Sequence, residues 1–187
     1  MSGTVKWPAI FLDRDGVIIE NRDDYVLSWS DVVIIPGAVE AIADLTAENN
    51  YQIVIVTNQS PIGQGLITKT DAERINYQLV RVIESAGGRI AGVFMCPHTD
   101  ADDCDCRKPR PGLLLQAAAD LQLDLSNSVM VGDALTDIKA ARAAGVADAR
   151  LVRTGRGQKQ EKLPEAADLH PFAVYKNLGD AVACIRQ

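Results

Sequence analysis

Short apolar runs alternate along this chain with longer amphipathic stretches, and this alternation restricts the possible fold more than any other feature. The runs that have the length of buried strands lie at 9–12, 52–56, 92–95, 128–131 and 150–152. Runs without a polar face are typical of strands that are covered on both sides. Since parallel strands are joined by long crossovers that usually contain a helix, the pattern predicts an α/β fold with a central parallel sheet flanked by helices.

The stretches between these runs have helical periodicity, and the clearest of them begins at Thr70. The segment Thr70-Asp71-Ala72-Glu73 has the spacing of a capping box, and Gly87-Gly88 predicts the end of the helix. Further helices are predicted at 39–48, 111–121 and 136–144, with a last one whose inward residues are Leu178, Ala181, Val182 and Ile185. The stretches at 21–31, 97–111 and 155–164 are predicted to be irregular.

Length and composition are those of one globular domain. The chain has 187 residues, of which 47% are hydrophobic and 24% are charged, so we expect a single domain over residues 1–187. A net charge of −6 and an aromatic content of 5% argue against a general nucleic-acid surface, which needs basic residues and stacking rings. No apolar run has the length of a membrane span, and no signal peptide is recognisable. We therefore expect a cytoplasmic monomer that contacts neither nucleic acid nor membrane.

Polar side chains follow the predicted strands at the points where the strands end. They are Asp13 and Asp15 after the first strand, Thr57-Asn58-Gln59-Ser60 after the second, and Asp133 after the fourth. Asp137 follows one helical turn later, and Lys108 stands just before the helix at 111–121. Since ligands bind at the carboxyl ends of parallel strands, we expect these groups to converge. Carboxylates, a hydroxyl and a lysine suit a magnesium ion together with a phosphoryl group.

These residues allow a chemical assignment for phosphoryl transfer, which requires an in-line nucleophile and neutralisation of charge. Asp13 is predicted to attack phosphorus and form an acyl phosphate, while Asp15 protonates the leaving oxygen and later deprotonates the attacking water. Thr57 and Lys108 are predicted to offset charge on the phosphoryl oxygens. Asp133, Asp13 and a backbone carbonyl would hold Mg²⁺, and the predicted magnesium set is Asp13, Asp15 and Asp133.

Four segments, taken in their order and separation, resemble the motifs of the haloacid dehalogenase (HAD) superfamily. They are Phe11-Leu12-Asp13-Arg14-Asp15-Gly16, Val56-Thr57-Asn58, Lys108, and Val131-Gly132-Asp133 with Asp137. The resemblance extends over residues 9–152. It implies a Rossmann-like HAD fold, an aspartyl-phosphate mechanism, Mg²⁺ as a cofactor and a small phosphorylated substrate.

The amino-acid sequences of several segments are similar to those of the small capless branch of this superfamily. The segments are Asp-Arg-Asp-Gly at 13–16, Thr-Asn-Gln-Ser at 57–60, Cys-Pro-His at 96–98 and Cys-Asp-Cys-Arg-Lys-Pro at 104–109. That branch contains D-glycero-D-manno-heptose 1,7-bisphosphate 7-phosphatases and histidinol phosphatases. The resemblance implies that there is no large cap domain and that the substrate is a small phosphorylated sugar. The predicted substrate contacts are Asn58, Gln59, Ser60 and Arg107.

The cysteines favour a metal site over disulfide bonds. Cys96, His98, Cys104 and Cys106 lie within eleven residues, and three thiolates with one imidazole form a closed tetrahedral set for structural zinc. The resemblance to heptose phosphatases supports this, because that family carries zinc on such an arrangement. Reduced free thiols remain the alternative. Cys184 lies apart, on the apolar face of the last predicted helix, and is expected in the core.

At three positions the chain differs from the pattern of the family that it resembles. Ile19 stands where the family commonly has Asn, Gln64 where it has a basic residue, and Ala134 where the heptose enzymes tend to have Lys. We expect these positions to lie where a second phosphate or sugar hydroxyls are recognised. The resemblance implies removal of the 7-phosphate from a heptose 1,7-bisphosphate. The alternatives are a histidinol-phosphate phosphatase, a polynucleotide 3′-phosphatase and a non-catalytic binding module stapled by zinc.

Two further features have an ordinary structural interpretation. Asp137 lies in the first turn of a helix, where an acid interacts favourably with the helix dipole whether or not it has another role. The segment Gly155-Arg156-Gly157 is too short a pattern to predict a phosphate-binding loop. Neither feature enters the predicted set of site residues.

Overall fold

The computed structural model describes residues 6–183 and residue 185, and the core prediction for Cys184 lies outside the described residues. Its centre is a sheet of six parallel strands in the order β3-β2-β1-β4-β5-β6. The strands are β1 (Trp7–Leu12), β2 (Gln52–Asn58), β3 (Gly92–Cys96), β4 (Leu123–Gly132), β5 (Asp148–Val152) and β6 (Ala173–Tyr175). The expected α/β fold with a central parallel sheet is therefore confirmed.

Eight α-helices connect or flank these strands within the described residues. They are α1 (Ala38–Glu48), α2 (Ser60–Gly63), α3 (Lys69–Ser85), α4 (Gly112–Leu121), α5 (Leu135–Ala144), α6 (Gly157–Gln160), α7 (Pro164–Leu169) and α8 (Leu178–Ala183). Helix α1 packs against α3 and α8, while α5 packs against α4 and α7. Two apolar clusters result, one containing Ile42, Leu79 and Leu178 and the other containing Leu113 and Ile138. The sheet is thus covered by helices on both faces.

The strand order places a crevice at the carboxyl ends of β1 and β4. Strand β1 is central and pairs with β2 on one side and with β4 on the other. Its residues 9–12 are fully buried, which explains why they form an uninterrupted apolar run. The chain leaves β1 toward one side of the sheet and leaves β4 toward the other, and such a switch point is where α/β sheets bind ligands.

The local structure differs from the sequence prediction in several places, including the following three. Helix α3 begins two residues early, because Thr68 rather than Thr70 caps it and accepts a hydrogen bond from the backbone N–H of Asp71. Strand β6 was not predicted, because its three residues are too few for a periodic pattern. The stretch 155–164, predicted to be irregular, contains the short helix α6.

The connections at the carboxyl edge of the sheet remain short. Residues 13–37, between β1 and α1, contain a 3-10 turn at Trp29–Asp31, and residues 97–111 contain another at Asp100–Asp102. Within residues 6–183, neither connection builds a large cap over the sheet. Among the described helices, none combines the length and the hydropathy needed to cross a membrane.

Candidate active site

Three buried carboxylates meet where β1 and β4 end. Asp13 follows β1, Asp133 follows β4, and Asp137 lies in the first turn of α5. One oxygen from each carboxylate lies within 4.8 Å of the others, and all three residues are buried. The tertiary structure therefore joins two strand ends that are separated by more than a hundred residues in sequence.

Lys108 places a cation among these carboxylates. Its ammonium Nζ lies 3.0 Å from Asp13 Oδ1 and 2.7 Å from Asp137 Oδ1, and it donates a hydrogen bond of 2.8 Å to the carbonyl of Val56. Burial by itself would lower the pKa of this lysine, but the charges of Asp13 and Asp137 outweigh it and raise the pKa to about 12. Lys108 is therefore a buried, fully protonated cation beside Asp13.

Burial favours the protonated form of two of these carboxylates when no metal is bound. Burial raises the pKa of Asp13 to about 7, against the opposing effect of Lys108, and burial raises the pKa of Asp133 to about 6. Asp133 Oδ1 is buried and has no hydrogen-bond partner among the described residues. An unpartnered buried carboxylate oxygen is costly. Because hard carboxylate oxygens are the ligands that Mg²⁺ prefers, the donor set fits a magnesium ion.

The other oxygen of Asp133 is held by the loop after β5. The backbone N–H of Arg156 donates a 2.8 Å hydrogen bond to Asp133 Oδ2, and Nε of the same arginine lies 3.5 Å away. A Cβ atom on Gly16 would lie 2.1 Å from Asp133 Oδ2, and one on Gly155 would lie 2.4 Å from it. These glycines therefore leave room for the carboxylate, and Oδ1 remains for a metal.

Two residues of this centre were absent from the predicted set. Asp137 was expected to converge with the other strand-end groups, because it follows Asp133 by one helical turn, but it was assigned no role. Arg156 had a weaker signal, the flanking glycines Gly155 and Gly157. The Cβ of a larger residue at Gly157 would overlap the carbonyl of Val152. The glycines thus allow the close approach of the loop.

Asp15 is surrounded by hydrogen-bond donors from two elements. Arg14 donates from Nε to Asp15 Oδ2 at 3.0 Å and from Nη2 to Oδ1 at 3.1 Å. Gln59 Nε2 donates to Asp15 Oδ2 at 2.9 Å, and the Thr57 hydroxyl lies 3.4 Å from the same oxygen. Gln59 Nε2 also donates to Thr57 Oγ1 at 2.9 Å. Asp15 is therefore held by Arg14 beside it and by the end of β2 with the residue that follows the strand.

Asn58 contacts the backbone of Lys108 through both ends of its amide. Its Nδ2 donates to the carbonyl of Lys108 at 3.0 Å, and its Oδ1 accepts from the backbone N–H of Lys108 at 3.1 Å. This pairing fixes the lysine backbone at the sheet edge. The predicted role of Asn58 was substrate contact. Its contacts with the backbone show that it also positions Lys108.

A cavity of about 430 Å³ opens above these groups. Its lining contains seven of the predicted site residues: Asp13, Asp15, Asn58, Gln59, Ser60, Arg107 and Lys108. Thr57 and Asp133 are buried beside the cavity and outside its lining. Arg107 is fixed at the rim by a contact of 2.6 Å from Nε to Asp100 Oδ1.

Comparison with known proteins identifies the family. The chain matches the haloacid dehalogenase-like hydrolases over residues 8–145. It belongs to that family. A D-glycero-beta-D-manno-heptose-1,7-bisphosphate 7-phosphatase of Neisseria meningitidis serogroup A is 41% identical to this HAD-like hydrolase over 150 residues, which cover 80% of this chain and 79% of the relative. The enzyme of that name from Bordetella bronchiseptica is 40% identical over 159 residues, covering 83% and 88% respectively.

A solved structure of a relative agrees with the fold of this HAD-like hydrolase. The D,D-heptose 1,7-bisphosphate phosphatase of B. bronchiseptica, complexed with magnesium and phosphate, superposes with a TM-score of 0.86 at 35% sequence identity. The superposition covers 95% of this chain and 97% of that one. A magnesium ion bound in this relative supports Mg²⁺ as a cofactor of the present hydrolase.

A second cluster of the hydrolase brings together the four predicted zinc ligands. Cys106 Sγ lies 3.2 Å from Cys96 Sγ, 3.5 Å from Cys104 Sγ and 3.3 Å from His98 Nδ1. Cys96 Sγ lies 3.6 Å from both Cys104 Sγ and His98 Nδ1. A tetrahedron of ligands about 2.3 Å from zinc has edges of about 3.8 Å. The thiol and imidazole donors therefore fit a structural zinc ion.

The three positions that depart from the family pattern, Ile19, Gln64 and Ala134, lie outside the cavity lining of this hydrolase. Ile19 and Ala134 are buried, so their side chains do not line the cavity, and the expectation that these positions lie where a second phosphate or sugar hydroxyls are recognised stays a prediction. Gln64 is exposed and donates a hydrogen bond of 3.1 Å to the hydroxyl of Tyr25, which does line the cavity. Of these three side chains, only that of Gln64 forms a hydrogen bond with a residue of the cavity wall.

Proposed function

We propose that this hydrolase removes the 7-phosphate of a D-glycero-D-manno-heptose 1,7-bisphosphate through an aspartyl-phosphate intermediate. The placement of the Lys108 ammonium between Asp13 and Asp137 carries the proposal, because it puts a fixed cation beside a nucleophilic carboxylate. The names of the relatives support the choice of substrate. We also propose that the chain forms one domain, since the described strands belong to a single sheet.

Hydrolysis then takes place in two steps. In the first, a carboxylate oxygen of Asp13 bonds to phosphorus, the bond from phosphorus to the sugar oxygen breaks, and Asp15 donates a proton to that oxygen. In the second, Asp15 takes a proton from water, the water oxygen bonds to phosphorus, and the bond to Asp13 breaks. Inorganic phosphate leaves, and both carboxylates return to their starting states.

The surrounding groups supply positive charge and orientation. Lys108 and the Thr57 hydroxyl would offset the negative charge on the phosphoryl oxygens. Gln59, Ser60 and Arg107 would contact the substrate from the cavity wall. Asp137 would act as the anchor of Lys108, because its Oδ1 faces the ammonium and its Oδ2 accepts a hydrogen bond from the backbone of Ala134.

The magnesium ligands of the proposal are Asp13, Asp133 and the backbone carbonyl of Asp15. Asp133 qualifies through its unpartnered Oδ1, whose neighbour Oδ2 is already held by Arg156. When bound, the ion would neutralise negative charge on the phosphoryl group. Asp13 and Asp133 must be ionised for this, which the metal itself would favour.

The zinc site of the proposal consists of Cys96, His98, Cys104 and Cys106, and its role is structural. Zinc with four protein ligands has no open position for chemistry. Arg107 and Lys108 directly follow the last ligand in sequence. The ion would therefore stabilise the loop that brings both cations to the cavity.

Phosphate release tests the proposed function. Wild type and Asp13→Asn are compared with Mg²⁺ on heptose 1,7-bisphosphate and on histidinol phosphate. The proposal expects a preference of the wild type for the heptose ester and no release by Asp13→Asn. A preference for histidinol phosphate would retain the mechanism and overturn the substrate. Release by Asp13→Asn would overturn the aspartyl-phosphate mechanism itself.

A further inference from the structure

Arg14, between the two active-site aspartates, is a buried charged residue to which the mechanism assigns no role. Its residue exposure is 1%, although a guanidinium is always charged and is rarely buried without partners. Its side chain extends to α3 rather than toward solvent, and Nη1 donates a hydrogen bond of 2.8 Å to Asn76 Oδ1. A buried cation in this place needs an explanation.

The partners of Arg14 account for it. Nε and Nη2 form a fork on the carboxylate of Asp15, with distances of 3.0 Å to Oδ2 and 3.1 Å to Oδ1. Such a bidentate pair fixes the plane of a carboxylate as well as its position. The opposite side of the guanidinium is anchored by Asn76, which is itself buried and donates to Met95 Sδ at 3.7 Å.

The backbone of Arg14 is fixed as well. Its carbonyl accepts hydrogen bonds from the backbone N–H groups of Ile18 at 2.9 Å and Ile19 at 3.1 Å, within the turn that follows β1. The arginine is therefore held at its backbone by the turn and at its guanidinium by α3. Only the carboxylate of Asp15 remains to be oriented by it.

The hydrogen-bond donors around Asp15 are distributed unequally between its two carboxylate oxygens. Oδ2 faces Arg14 Nε, Gln59 Nε2 and the Thr57 hydroxyl, and Arg14 Nη2 lies 3.0 Å from it, whereas Oδ1 accepts one hydrogen bond, from Arg14 Nη2. An ionised carboxylate has about two acceptor positions on each oxygen. Among the described residues, Oδ1 is thus the oxygen with capacity left to exchange a proton with a substrate in the cavity.

We propose that Arg14, anchored by Asn76, is a positioning residue that turns Asp15 Oδ1 toward the leaving oxygen of the substrate. The proposal rests on the function proposed above, in which Asp15 transfers the proton. The guanidinium of Arg14 acts through the carboxylate of Asp15, to which it is hydrogen-bonded, and takes no part in the bonds that form and break at phosphorus. Arg14 orients the group that transfers the proton. Substitution of Arg14 should therefore slow hydrolysis only when the leaving oxygen needs a proton.

Esters with different leaving groups separate this role from a merely structural one. The ratio kcat/KM reports the steps up to departure of the alcohol, and it is measured for heptose 1,7-bisphosphate, phenyl phosphate and 4-nitrophenyl phosphate. A sugar alkoxide needs a proton to leave, and a nitrophenolate does not. Arg14→Lys, which retains the charge and loses the fork, should lower kcat/KM for the sugar ester by about 100-fold, the scale of general acid catalysis. The value for 4-nitrophenyl phosphate should remain nearly unchanged.

Matched variants keep the test decisive. Asn76→Ala removes the anchor and leaves the fork, so it should show a smaller loss with the same dependence on leaving group, even if Arg14→Lys fails to fold. Arg81→Lys and Gln78→Ala, on exposed positions of α3, should match wild type. Equal losses for all three esters, or no loss in either variant, would overturn the proposal. Turnover by Asp13→Asn would instead overturn the proposed function.

Discussion

The Lys108 ammonium lies 2.7 Å from Asp137 Oδ1, and both side chains are at most 2% exposed. The same ammonium lies 3.0 Å from Asp13 Oδ1. Asp137 therefore holds the cation beside the proposed nucleophile from the opposite side. The helix-dipole interpretation of Asp137 accounts for its position in the first turn of α5 and does not account for this contact.

The pairing predicts a large effect of Asp137→Asn. Removal of one partner from a buried ion pair typically costs about 3–5 kcal/mol, and we expect phosphate release to fall because Lys108 loses its anchor. Chemical denaturation and kcat measure the two effects. Asp180→Asn, an exposed acid in the first turn of α8, is the control, because loss of a dipole interaction alone costs at most about 1 kcal/mol. Similar effects of both substitutions would contradict the anchoring role.

Gly16→Ala tests the space around Asp133. The new Cβ would lie 2.1 Å from Asp133 Oδ2, so the carboxylate must move and Mg²⁺ affinity should fall by about tenfold or more, the loss typical of disturbed metal environments. Calorimetric titration with Mg²⁺ measures this. Gly37→Ala is a matched control, because Gly37 has a φ of 81°, close to the 84° of Gly16, and open space around it. Equal Mg²⁺ affinities of the two variants would show that the contact with Asp133 has no importance.

The buried carboxyls predict that the stability of the magnesium-free protein depends on pH. The pKa values of Asp13 and Asp133 are raised to about 7 and about 6, chiefly by burial. In an unfolded chain an aspartate has a pKa of about 3.9. The folded state thus binds these protons more tightly, and the stability that they contribute is complete below about pH 4 and lost as the pH rises to about 7.

Magnesium should counteract that loss, because it binds the ionised carboxylates. We expect Mg²⁺ to raise the melting temperature much more at pH 8 than at pH 5. Thermal unfolding is measured after dialysis without a chelator, so that a bound zinc ion stays in place. Asp133→Asn should weaken both the pH dependence and the magnesium effect. Equal stabilisation by Mg²⁺ at the two pH values would be inconsistent with this assignment.

Metal analysis tests the zinc cluster. We expect about one zinc per chain, as in other closed sites with four ligands, and a large loss of zinc together with a lower melting temperature in Cys104→Ser. Asp105→Asn is the control from the same loop, because its side chain is fully exposed and is no ligand of the cluster. Zinc-free wild type, or unchanged zinc content in Cys104→Ser, would refute the site.

Much of this protein follows from local patterns in its sequence. The five predicted strands were confirmed, and in β1 the apolar run follows from burial of residues 9–12 on both faces of the sheet. The strand-end positions of Asp13 and Asp133 followed from the same patterns. The cluster of Cys96, His98, Cys104 and Cys106 was predicted because these metal-ligating residues lie close together in the sequence, and the family resemblance supported zinc as the metal.

The tertiary structure decided which distant residues touch. The position of Lys108 between Asp13 and Asp137 depends on β1 and β4 being neighbours, and no local pattern specifies that order. The contact of Arg14 with Asn76 spans 62 positions in the chain. Hydrophobic periodicity indicates whether a residue is buried, because buried positions are mostly apolar. It does not indicate which other residues that residue contacts. The sequence by itself therefore determined the elements and the chemical groups, and the packing of the sheet determined how those groups are paired.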